Sequence, residues 1–82
     1  MAGRSHTLGS LAYRGTIATE THPMLERIQA AGGIIHIRTT TPEFSCAGFT
    51  HSRLWGITRN PWNTDFTPGG SSGGSGAALA SG

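Results

Sequence analysis

The chain has no lysine. Its six cations are all arginine, and only four acidic residues oppose them. A guanidinium does not give up its proton in a protein, so no side-chain amine here can act as a base. The net charge of +2 is mild and leaves no electrostatic footprint for nucleic acid or a membrane surface. Cysteine is nearly as scarce. Cys46 stands alone, which excludes an internal disulfide and fits a reducing, cytoplasmic setting. Met1-Ala2-Gly3-Arg4 leads into no apolar stretch of the secretory kind. No run approaches the roughly 20 apolar residues of a membrane span. The four histidines match no zinc spacing, and the acids show no paired arrangement for acid–base work. No metal and no other cofactor is expected.

Material for a core is also short. Apolar residues make up 35% of the 82, and 13 are glycine. The length allows one small domain at most. A chain of this size buries only about 60% of its unfolded surface, so it is marginal without outside support.

What the chain does have is Thr67-Pro68-Gly69-Gly70-Ser71-Ser72-Gly73-Gly74-Ser75-Gly76, followed at once by Ala77-Ala78-Leu79-Ala80. Serines lie among glycines, and helix formers come next. Glycine lets the backbone turn where a Cβ would clash. A helix N-terminus adds unpaired N–H donors and the positive end of the dipole. Such a place can hold an anion or fix a serine hydroxyl for chemistry.

Generic motifs account poorly for this loop. Gly69-Gly70-Ser71-Ser72-Gly73 fits G-x-S-x-G, the nucleophile elbow. An elbow needs a buried strand before it, yet Asn60 to Pro68 reads as loop. It also needs a later histidine, and none follows Ser71. A phosphate-binding P-loop needs lysine after its last glycine. A flexible Gly/Ser tether fits by composition, but not with the helical run and the aromatic-rich segment on either side.

The rest of the chain reads as alternating elements. A short helical piece is expected around Leu8 to Tyr13, stopped at Gly15. Thr21-His22-Pro23 opens a helix, with Thr21 or His22 as cap and Pro23 in the first turn. Met24, Leu25, Ile28 and Ala31 share one side of it, and Gly32 or Gly33 ends it in left-handed geometry. Ile34 to Thr39 then reads as the main strand, rich in β-branched residues. Thr41-Pro42 opens a second short helix ending near Gly48. Residues 49 to 70 form a long irregular connection holding Trp55, Trp62 and Phe66. A loop of that length is functional or braced by a larger body. The last helix begins near Ser72.

Several of these stretches together resemble the amidase signature family. Pro68-Gly69-Gly70-Ser71-Ser72-Gly73-Gly74-Ser75 is similar to the family's glycine–serine signature. Thr58-Arg59-Asn60-Pro61-Trp62-Asn63 lies the right distance upstream for its Asn-Pro-Trp segment. Pro42-Glu43-Phe44 and Gly48-Phe49-Thr50 also look like family elements. The likeness covers nearly the whole chain. It implies a piece of a layered α/β/α fold, with one or two helices, one main strand and a long loop over residues 1–82.

The resemblance also implies chemistry. Family members hydrolyse amide C–N bonds with a nucleophilic serine, a bridging serine beside a cis peptide bond, and a lysine whose uncharged amine acts as base. Ser71 matches the bridging serine, which places the cis bond at Gly70–Ser71. Gly69, Gly70, Ser72 and Gly73 would support that loop, with Ser72 able to cap the helix after it. Ser45 falls where the family lines its substrate cleft. The family's lysine would lie just before Met1, and its nucleophilic serine beyond Gly82. The chain is therefore expected to be an internal segment cut at both ends and inactive by itself. Its implied partners are a small-molecule amide and either the remaining amidase segments or a second copy of itself. Two rivals stand beside this: a non-catalytic piece that folds against a partner, and a glycine-rich anion-binding module.

Overall fold

A computed structural model describes residues 1–82. A 3₁₀ turn spans Leu11–Tyr13, followed by helix α1, Pro23–Ala30. A second 3₁₀ turn, Glu43–Ser45, precedes two short strands, β1 at His51–Ser52 and β2 at Gly56–Ile57. Helix α2, Gly73–Ala80, closes the order.

The first twenty residues fold back on themselves. Ser5 and Ile17 form an antiparallel bridge, and His6 N–H donates to the Thr16 carbonyl at 2.7 Å. Between them, the helical piece expected around Leu8 to Tyr13 shrinks to one 3₁₀ turn. Leu8 has φ +52°, which stops a right-handed helix from starting there. Ser10 Oγ accepts from Ala12 N–H and caps the turn instead.

Helix α1 forms where its start and stop residues place it. His22 is the cap, its Nδ1 accepting from Met24 N–H at 3.2 Å, and Pro23 takes the first helical position. At the far end Gly32 N–H donates to Gln29 O and Gly33 N–H to Ile28 O, at 3.0 and 2.8 Å. This is a Schellman closure, and Gly32 turns through it at φ +88°.

Two expectations change here. Residues 34–42 form no strand. A strand exists only by pairing with a neighbour about 4.8 Å away, and the sole sheet is β1 with β2, antiparallel, His51 opposite Ile57. The isoleucines of this stretch therefore stand without a ladder. Nor does a helix follow Thr41. Pro42 occupies the cap position without a side-chain bond, and Phe44 and Ser45 turn left-handed at +52° and +53°. Only one 3₁₀ turn survives. The connection from 49 to 70 is more ordered than composition implies, because Ser52 Oγ accepts from Trp55 N–H at 2.9 Å and tightens the β1–β2 turn.

No apolar side chain is fully buried. The buried residues fall in two places: Gly9, Ser10 and Pro42 where the N-terminal segment meets Pro42, and Thr50, Gly73 and Gly74 at the glycine–serine loop. The chain is a slab of 39 × 31 × 16 Å. Its accessible surface is 6010 Å², whereas a self-contained domain of 8.5 kDa exposes about 4,650 Å². Its radius of gyration, 13.7 Å, exceeds the roughly 11.7 Å of a compact domain of this length. Ile34, Leu79 and Trp62 are each more than four-fifths exposed.

Candidate functional site

The loop from Thr67 to Gly76 is held at nearly every residue. Thr67 Oγ1 accepts from Gly69 N–H at 3.2 Å, and Gly69 turns left-handed at φ +85°. Its carbonyl accepts from the Thr50 hydroxyl at 2.9 Å. The Gly70–Ser71 peptide bond is cis.

The glycines after that serve space rather than torsional freedom. A Cβ on Gly70 would meet the Ala47 carbonyl oxygen and the Phe49 nitrogen, both at 2.7 Å. One on Gly73 would run into the Thr50 hydroxyl, and one on Gly74 into the backbone and hydroxyl of Thr40. Residues 47–50 thus form a bed under the loop, and Thr40 flanks it. Gly74 N–H donates to the Thr40 carbonyl at 3.2 Å. Thr40 Oγ1 pairs with Thr58 Oγ1 at 2.7 Å, and Thr39 Oγ1 with Ser75 Oγ at 2.8 Å. A segment with these bonds is a packed junction and not a tether. The Gly74 donor at the start of α2 is already used within the chain, so it is closed to an anion.

Ser71 sits half-buried at the centre of this junction. The loop's polar bonds run to Gly69, Gly74 and Ser75, leaving the Ser71 hydroxyl outside them. Ser72 takes the cap position of α2 but makes no capping bond. Its ψ of +32° departs from the extended conformation in which a cap side chain reaches the helix N–H groups. Ser45 is exposed, two residues before the bed. No hollow of the chain is lined by Ser45 or Ser71. One hollow of about 480 Å³ lies against Thr39, Ser75 and Leu79.

The histidines do other work. His22 caps α1, and His51 lies against the Phe49 ring at 4.9 Å between centroids. No group of three or more His, Cys, Asp or Glu side chains is placed to hold a metal ion. Cys46 is exposed. No helix is long and apolar enough to cross a membrane. The threonines at 39, 40, 50 and 58 are what sequence reasoning passed over. The signal for them was slight, since Gly48-Phe49-Thr50 marked a motif without singling out the hydroxyl.

Ser71 is thus a half-buried serine on a glycine-packed loop at a helix start, and comparison with known proteins gives the family. The Amidase family model matches residues 1–82, and the chain belongs to that family. An indoleacetamide hydrolase from Bradyrhizobium diazoefficiens is 46% identical over 80 residues, covering 98% of this chain and 15% of that protein. The putative amidase AmiB2 of Mycobacterium tuberculosis is 46% identical over 82 residues, covering all of this chain and 18% of that protein. A solved structure of 6-aminohexanoate cyclic dimer hydrolase with substrate superposes with a TM-score of 0.91 at 40% identity, over 96% of this chain and 17% of that one. The chain thus spans less than a fifth of the curated relatives it matches.

Proposed function

We propose that these 82 residues form the bridging-serine segment of an amide C–N hydrolase acting on a small-molecule amide. Ser71 passes a proton between a nucleophilic serine and a lysine, both contributed by polypeptide outside this segment. As the nucleophile's oxygen adds to the amide carbonyl, its proton moves to Ser71 Oγ. The Ser71 proton moves to the neutral lysine amine. Collapse of the adduct breaks the C–N bond, and the leaving nitrogen takes the proton back along the same path. A relay of this kind needs a hydroxyl fixed in place yet free of other partners. The backbone on either side of Ser71 is braced at Gly69 and Gly73, and its half-buried hydroxyl makes no hydrogen bond within residues 1–82; that observation carries the reading.

Replacing Ser71 by Ala in the complete polypeptide should lower kcat by about 10²–10⁴, the usual span for a lost acid–base step, with the fold unchanged by circular dichroism. Turnover within tenfold of the wild type would remove Ser71 from the chemistry.

A second part of the reading concerns the segment itself. Roughly 1,350 Å² of surface beyond that of a self-contained domain and an unladdered stretch at Ile34 to Thr39 support folding against the remaining amidase segments. In that setting the stretch joins a sheet, and Ser45 faces a cleft whose other wall comes from elsewhere. The isolated 82-residue chain is then inactive. Turnover of a simple aryl amide by the isolated chain, abolished by Ser71→Ala, would refute this. A second copy of the chain could cover the same faces, and sedimentation of the isolated chain distinguishes that outcome.

A further inference from the structure

We propose that Thr50 is a positioning residue for Ser71, acting through the backbone on both sides of it. The proposal rests on the relay reading given above. Thr50 is the most buried polar side chain, 1% exposed, although it lies 21 positions before Ser71 and outside the glycine–serine loop. Its hydroxyl donates to the carbonyl of Gly69 at 2.9 Å. The same oxygen occupies the space that a Cβ on Gly73 would need. Thr50 therefore touches the backbone two residues before Ser71 and two residues after it. One side chain staples both ends of the turn that presents the Ser71 hydroxyl.

Thr50 is itself held. Its carbonyl accepts from Thr58 N–H at 3.0 Å, which ties it to the β1–β2 pair. The residues before it carry the Gly70 contact, through the Ala47 carbonyl and the Phe49 nitrogen. The staple thus stands on a hydrogen-bonded base. The hydroxyl matters as a donor: without it the Gly69 carbonyl, which faces a buried side chain, has no partner in the chain. An unpaired carbonyl favours a shifted turn. A serine displaced by as little as 1 Å relays protons poorly while substrate binding, made elsewhere, is unaffected.

The test compares Thr50→Ala with Thr50→Ser in the complete amidase polypeptide. Both remove the methyl group, and only Ser keeps the donor. Thr50→Ala should lower kcat at least tenfold with KM within threefold, and Thr50→Ser should stay within threefold of the wild type in both. A merely structural role would lower the unfolding midpoint, more in Thr50→Ala than in Thr50→Ser, and leave the kcat of the folded enzyme untouched in both. Equal kcat in the Ala and Ser variants, within twofold, overturns the proposal. Ser71→Ala run alongside separates the two readings. If it abolishes turnover while the Thr50 variants match, only the positioning role falls. If it retains turnover, the relay falls and the positioning role with it.

Discussion

Replacing Gly74 by Ala tests whether the glycines of the loop are there for space. Intrinsic propensity alone makes the change favourable, because Ala in a helix is better than Gly by about 1 kcal/mol. The structure reverses the sign. A Cβ at position 74 would lie 2.6 Å from the Thr40 hydroxyl oxygen and closer still to the Thr40 carbonyl oxygen and nitrogen, where ordinary contact begins at 3.4 Å. Two of those atoms are backbone, so no side-chain rotation relieves the clash. Thr40 is also tied to Thr58 and to Gly74 N–H. Overpacking of this kind costs typically 1–3 kcal/mol, and the direct crowding of backbone places this case at or above the upper end. The propensity gain offsets about 1 of it. The net loss is about 2 kcal/mol, a roughly 30-fold rise in local opening. Gly76, two residues on in α2, is the control. The nearest atom to a Cβ there is 4.0 Å away, so Gly76→Ala should gain about 0.5–1 kcal/mol. Native-state amide exchange of the α2 peptide in the complete polypeptide reads both. Faster exchange in Gly74→Ala and slower exchange in Gly76→Ala is the expected pair. Gly74→Ala exchanging as slowly as Gly76→Ala would refute the packing argument.

Other predictions concern the rest of the segment. Gly32→Ala places a Cβ at φ +88° in the Schellman closure of α1 and should cost about 1–2 kcal/mol, read as faster exchange at the end of α1. Open space surrounds that position, so a loss of stability there is torsional, and an unchanged rate would show that the closure is not held. Ile37→Asp alters a side chain that is 54% exposed, so the segment's own contacts survive. In the complete polypeptide the same change should buried-charge the proposed sheet and sharply reduce soluble, protease-resistant protein. A normal yield would show that this side faces water in the complete protein.

Local chemistry explains which elements were legible from sequence. Helix α1 carries its own instructions: a cap at His22, Pro23 in the first turn, and glycines past the end. These act within four residues and need no partner. The Gly–Ser loop and the start of α2 were equally plain. The strand expected at Ile34 to Thr39 was not settled locally, because a ladder requires a second backbone that residues 1–82 do not place beside it. The short β1–β2 pair was missed for the opposite reason: two residues per strand leave no periodicity to detect.

From sequence alone came the family likeness, the position of Ser71, the helix signals and the absence of any lysine to act as base. Only the tertiary structure decided why the loop needs glycine at 70, 73 and 74, and which hydroxyls hold it. Those facts depend on residues 20 to 35 positions apart, Thr40 and Thr50 against Gly73 and Gly74, whose meeting no local pattern encodes. Close packing is a property of surfaces brought together, and a linear string records the surfaces without the contact.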